Sequence, residues 1–161
     1  VDKDYLVKEI SLQHCVNSVI TRNKQGFILN GIDIEIDNID NTVYCDSKWL
    51  EFILNQIIVN AIKYRNSKNP KVKVYVRDIK NGIKLIVEDN GIGIPSDELG
   101  RVFEKGFTGN AGRLNTKSTG IGLYLCKKLC DKLGLLIDIE SEINSYTKVV
   151  IIFPIGSFCK F

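Results

Sequence analysis

The sequence contains no methionine, a single tryptophan, a single histidine and only three prolines in 161 residues. Its five cysteines are odd in number and include no Cys-x-x-Cys pair, which argues against a disulfide framework or a zinc site. Cys126 and Cys130, four apart, are expected as packed thiols on a helix, in a reducing compartment. No apolar run is long enough to span a bilayer, since the longest is Val149 to Phe153, and no signal-peptide pattern stands at Val1. Excess charge of one sign is also small. A net charge of +3, with lysines such as Lys71, Lys73, Lys127, Lys128 and Lys132 on solvated faces, does not suit nucleic acid. The want of methionine suggests a piece cut from something longer.

What is present is ordinary for a folded chain. An apolar fraction of 44% and a charged fraction of 25% fit a single domain over 1–161 with one sizeable core, without internal repeat or linker. Helical spacing of Leu6, Val7, Ile10, Val19 and Ile20 predicts a helix from Asp4 to Thr21. From Phe27 the period changes to two, and Ile32, Ile34 and Ile36 predict a strand, with Val43 to Cys45 as a short second one. Asp46 or Ser47 caps the strongest helix, Lys48 to Tyr64, whose apolar stripe includes Leu50, Ile53, Leu54, Ile57 and Ala61. Val72 to Val76 and Ile83 to Glu88 predict antiparallel strands around Asn81-Gly82. A short helix is expected from Ser96 to Phe103 and another from Gly120 to Gly134, then strands at Leu135 to Glu140 and Thr147 to Pro154.

Three stretches carry chemistry. Glu88-Asp89-Asn90-Gly91-Ile92-Gly93 puts a carboxylate at the end of an apolar strand before two glycines, a pattern that also makes plain turns. Gln56, Asn60 and Lys63 fall on one strip of the long helix, where amide oxygens suit a hydrated magnesium ion, although a buried amide satisfied by backbone reads equally well. Ser118-Thr119-Gly120-Ile121-Gly122-Leu123 brings glycines to a helix start, where free amides and the dipole attract phosphate. That stretch follows a loop, so it is no Rossmann turn, and no Walker sequence occurs. Glu104 to Thr119 lacks periodicity, as a functional lid or a disordered segment does.

With these stretches together, the chain resembles the catalytic, ATP-binding domain of bacterial sensor histidine kinases, in the Bergerat or GHKL superfamily shared with gyrase and MutL ATPases. Asn60 to Tyr64 resembles the N box, Asp89 to Gly93 the first glycine box, Phe103 with Phe107 the F box, and Gly120 to Leu123 the second glycine box. Phe103 to Gly109 and Ser118 to Leu125 look most like the intramembrane-sensing kinases that respond to cell-envelope antibiotics.

The resemblance implies a two-layer α/β sandwich, a mixed and largely antiparallel sheet under about three helices, with ATP between the helix layer and the lid. It implies that Asp89 accepts from the adenine amino group and that Gly91 and Gly93 let the purine lie against backbone. Asn60 would hold Mg2+, with Gln56 as a second candidate. Lys63, Lys105 and Arg113 would face phosphates, and Tyr64 the base or ribose. Ser118, Thr119, Gly120, Gly122 and Leu123 would surround the phosphate tail, Phe103 and Phe107 would pin the lid, and Thr147 would complete the ATP site.

A single departure separates branches of the superfamily. Its ATPases resemble each other in a glutamate four residues before the N-box asparagine, where this chain has Gln56, and an amide is no general base. Transfer of the γ-phosphate to a histidine, for two-component signalling, is therefore favoured. A nucleotide-binding module without output and a GHKL-type ATPase are the alternatives. His14, followed by Cys15-Val16-Asn17-Ser18, lacks the acid and proline of a phosphoacceptor and reads as an ordinary helix residue. The acceptor would lie on upstream dimerisation helices, making a homodimer when intact. A response regulator would be the further partner, with a cytoplasmic setting beneath a membrane reached only through N-terminal segments absent from this chain.

Overall fold

The computed structural model describes residues 6–107 and 122–155. Seven strands and five helices are described within them: β1 Lys8–Ser11, α1 Leu12–Arg22, α2 Lys24–Leu29, β2 Asp33–Ile36, β3 Thr42–Cys45, α3 Ser47–Lys63, β4 Lys71–Ile79, β5 Gly82–Asp89, α4 Ser96–Leu99, α5 Gly122–Leu133, β6 Leu136–Glu142 and β7 Tyr146–Pro154. The main sheet runs β2-β4-β5-β7-β6, parallel only between β2 and β4, while β1 and β3 pair antiparallel in a second sheet of two strands. The expected mixed, largely antiparallel sheet under helices is what folds.

Local chemistry sets the helix ends. Ser11 accepts from the His14 amide at 3.2 Å and starts α1, so the expected helix from Asp4 is corrected: Lys8–Ser11 pairs with β3 instead. The period of two read from Phe27 is also corrected: Lys24–Leu29 forms α2, too short to declare its own period, and the strand begins only at Asp33. Asp46 caps α3, accepting from the Trp49 amide at 3.1 Å with one carboxylate oxygen and from the Leu6 amide at 2.6 Å with the other. Helix α4 stops at Leu99, short of the expected Phe103, and Gly134 takes φ +75° after α5.

The core lies between α1, α3 and α5 and the inner sheet face. Leu50, Ile53, Leu54, Ile57, Ile58 and Ala61 of α3 are buried against Val72, Val74, Leu85, Val87 and Ile151. Each such aliphatic side chain contributes about 1.5–3 kcal/mol by burial, which fixes how α3 lies along the sheet. Cys126 and Cys130 are fully buried, and burial pushes both thiols up to about 12, as packed side chains on α5. Exposed His14 is a residue of α1, in keeping with its reading.

Register prepares one end of the sheet. Val72, Asp89, Thr147 and Ser141 stand opposite one another across β4, β5, β7 and β6, so their side chains share the inner face. Just there the core changes from apolar to polar.

Candidate functional site

A cavity of about 310 Å3 opens at that polar end, between α3, the segment after β5, and the start of α5. Its volume falls at the lower end of the range for small-molecule sites. From α3 come Gln56, Asn60 and Lys63, about one helical turn apart as the strip predicted, and Tyr64 joins them from the helix C-cap. From the sheet come Asp89 and Thr147, and from elsewhere Gly93, Phe107, Gly122 and Leu123. Sequence elements 56 to 147 thus meet in one place.

Asp89 ends β5 with its carboxylate in the cavity wall. Its Oδ1 accepts from the Gly91 amide at 2.8 Å. Burial pushes the carboxyl up to about 6, outweighing that hydrogen bond, and neighbouring Glu88 pushes in the same direction. Asp89 is therefore an acceptor in a poorly hydrated setting, where a ligand N–H is worth more than it would be in water.

The segment after β5 is tied to three other elements. The Ile92 amide donates to the Tyr64 carbonyl at 3.1 Å, the Ile92 carbonyl accepts from the Asn144 amide at 2.6 Å, and the Ile94 amide donates to Ser141 Oγ at 2.8 Å. Ser141 in turn lies 2.8 Å from Thr147 Oγ1. Asn90 adds a further link, accepting from the Lys71 amide at 2.7 Å and donating to the Asn69 carbonyl at 2.9 Å.

Gly91 and Gly93 have a structural reason beside the one expected, and of the two only Gly93 lines the cavity. A Cβ on Gly91 would meet the Tyr64 carbonyl, and one on Gly93, at φ +72°, would meet the Glu142 carbonyl. The space next to these glycines is filled by protein backbone, so they allow the segment to nest between α3 and the β6–β7 turn.

Not every expected residue reaches the cavity. Phe103 packs against the core cluster, and Lys105 holds its Nζ 5.8 Å from the Tyr124 ring, so neither lines it. Phe107 does line it, with Arg101 4.6 Å above its ring. Lys63 places its Nζ 5.7 Å from the Tyr64 ring. Gln56 Oε1 is turned to Gly122, where α5 begins. Arg113, Ser118, Thr119 and Gly120, with most of the expected lid, lie outside the described residues.

Sequence reasoning missed part of the wall. Ile92, Ile94, Pro95, Glu98, Val102, Ile139 and Val149 also line the cavity. Alternation along β6 and β7 puts Ile139 and Val149 on the inner face, a signal the sequence did carry. Ser141 gave none, because it acts through Thr147 and Ile94.

Among the described residues no group of three or more His, Cys, Asp or Glu side chains could hold a metal, and no helix is long and apolar enough to cross a membrane.

The geometry agrees with comparisons to known proteins. The chain is 38% identical over 154 residues to the sensor protein kinase GraS of Staphylococcus aureus, covering 95% of this chain and 44% of that protein. It is 36% identical over 149 residues to the sensor histidine kinase YxdK of Bacillus subtilis, covering 92% and 46%. It therefore spans under half the length of these curated relatives. Among solved structures, the nucleotide-free catalytic domain of histidine kinase ThkA superposes with a TM-score of 0.78 at 26% identity, covering 92% of this chain and 95% of that one. ThkA has also been solved in complex with response regulator protein TrrA, where the likeness, at 21% identity, TM-score 0.77 and coverage of 95% and 43%, concerns the fold alone. Residues 45–157 match the family described as histidine kinase-, DNA gyrase B-, and HSP90-like ATPase, and the chain belongs to that family.

Proposed function

We propose that this chain binds Mg-ATP in the cavity and delivers the γ-phosphate to a histidine on dimerisation helices of the same longer protein, as part of a two-component sensor kinase. A response regulator would be the next recipient of the phosphate. In this reading the chain is the cytoplasmic catalytic part of a membrane-anchored bacterial protein. The sensor kinase names of its relatives support this.

The observation that carries the kinase reading is Gln56. It lies four residues before Asn60 on α3 and lines the same cavity, where it can orient a ligand but cannot take a proton from water. The cavity's carboxylates, Asp89 and Glu98, belong to β5 and α4.

Residues of the chain then have separate tasks. Asp89 accepts from the adenine amino group, a choice that rejects guanine, whose corresponding group is a carbonyl. Ile139 and Val149 give the base an apolar floor. Asn60 offers an amide oxygen to the metal, and Lys63 a charge to the phosphates. Mg2+ brought by the nucleotide would neutralise charge on the triphosphate.

Asn60→Ala is expected to weaken Mg-ATP binding by about 1–2 kcal/mol, with adenosine affected less than about twofold. Calorimetry with both ligands checks this, and equal losses would return Asn60 to a structural role. The chain alone, incubated with γ-labelled ATP, should bind the nucleotide yet release little phosphate and carry no label. Joined to its upstream helices it should gain acid-labile, alkali-stable phosphate. Rapid phosphate release by the chain alone, abolished in Asn60→Ala, would move it to the ATPase branch.

A further inference from the structure

Where α3 meets α5, a missing side chain on one helix is matched by a side chain of the other. A Cβ on Gly122 would lie 2.7 Å from Gln56 Oε1, nearer than such atoms pack, and the next nearest atom is Gln56 Cδ at 3.7 Å. Among the described residues beyond its own helix and chain neighbours, no backbone atom comes within 4 Å, unlike at Gly91 and Gly93. Gly122 lies within the α-helix, a conformation open to residues other than glycine.

The notch beside Gly122 therefore accommodates the Gln56 amide. Both residues line the cavity, and the amide oxygen of Gln56 on α3 is turned to Gly122 of α5. The space that a side chain at 122 would fill is taken by the amide head.

We propose that Gln56 is a positioning residue, its amide seated in the notch left by Gly122, and that this pairing shapes the α3–α5 side of the cavity where the phosphate tail lies. The inference rests on the nucleotide reading above. It gives Gly122 a task other than letting phosphate approach the backbone. A methyl group at 122 would evict the amide, and because the displaced atoms end a flexible side chain, the fold would tolerate this while the cavity would not.

The test compares the parent chain, Gly122→Ala, Gln56→Ala and the double variant, each titrated with Mg-ATP and with adenosine and melted without ligand. Gly122→Ala should weaken Mg-ATP binding roughly tenfold and adenosine binding less than about twofold. In the Gln56→Ala background the same change should alter Mg-ATP binding less than about twofold, since no amide remains to be displaced. Equal losses in both backgrounds would overturn the pairing and assign Gly122 to the ligand directly, and no loss in either would overturn it as idle. Should Gly122→Ala unfold, rescue of folding in the double variant supports the pairing and failure of rescue overturns it. A parent chain that binds neither ligand would instead remove the nucleotide reading on which the inference stands.

Discussion

Asp89→Asn is expected to weaken ATP binding by about 1–3 kcal/mol while stabilising the empty domain at neutral pH. Both effects come from the buried carboxylate. An asparagine Oδ1 can keep the hydrogen bond from the Gly91 amide, but the second carboxylate oxygen becomes an NH2 that, on the proposed reading, would face the adenine amino group donor to donor. The empty domain meanwhile loses a charge that burial disfavours. Because the folded carboxyl titrates at about 6 and its ordinary value is 3.8, the folded chain holds more protons than the unfolded one between those values. Stability from this group therefore falls as pH rises from about 4 to 6 and stays reduced above 6, by about 1–2 kcal/mol after allowance for residual solvation. The variant should lack that descent. Melting curves at pH 5 and pH 7.5, with calorimetry for ATP, measure both parts. Unchanged ATP affinity in an intact variant would make Asp89 a turn residue only.

Gly93→Ala should lower stability by about 2–4 kcal/mol, or roughly 5–15 °C in melting temperature. Alanine at φ +72° is strained, and its Cβ would strike the Glu142 carbonyl and sit 2.8 Å from Ile143 Cα. Those atoms are backbone of the β6–β7 turn and cannot swing aside. Gly100→Ala, where nothing lies within 4 Å, is the control and should change little. Denaturant unfolding of both variants decides the matter. A Gly93→Ala domain as stable as the control would show that the segment after β5 can move away from the turn.

The long elements were legible because their periods are. Helix α3, with six buried apolar residues on one stripe, and the alternating β4, β5 and β7 declare themselves within their own sequence. Strand β1 does not. Lys8–Ser11 is extended because β3 lies beside it, and four residues whose apolar spacing suits a helix carry no mark of a partner more than thirty positions away. The site divides in the same way. Gln56, Asn60 and Lys63 were readable as a polar strip beside an apolar stripe and Asp89 as a carboxylate ending an apolar strand, whereas Tyr64 came only with a motif. Phe103 and Lys105 came with a motif, yet local packing took one into the core and the other towards Tyr124. The meaning of Gly91 and Gly93 was hidden, since only the fold reveals that carbonyls of Tyr64 and Glu142 stand beside them.

The three ties on the segment after β5 also bear on the entropy of binding. With Ile92 held by Tyr64 at the end of α3 and by the β6–β7 turn, and Ile94 by Ser141, this wall of the cavity has given up conformational freedom during folding. On the proposed reading, a purine entering beside Asp89 would lose its own motion but order little of the protein there, so more of each contact would appear as affinity. Association at this end should then proceed as encounter with a rigid surface, without a preceding rearrangement of that wall.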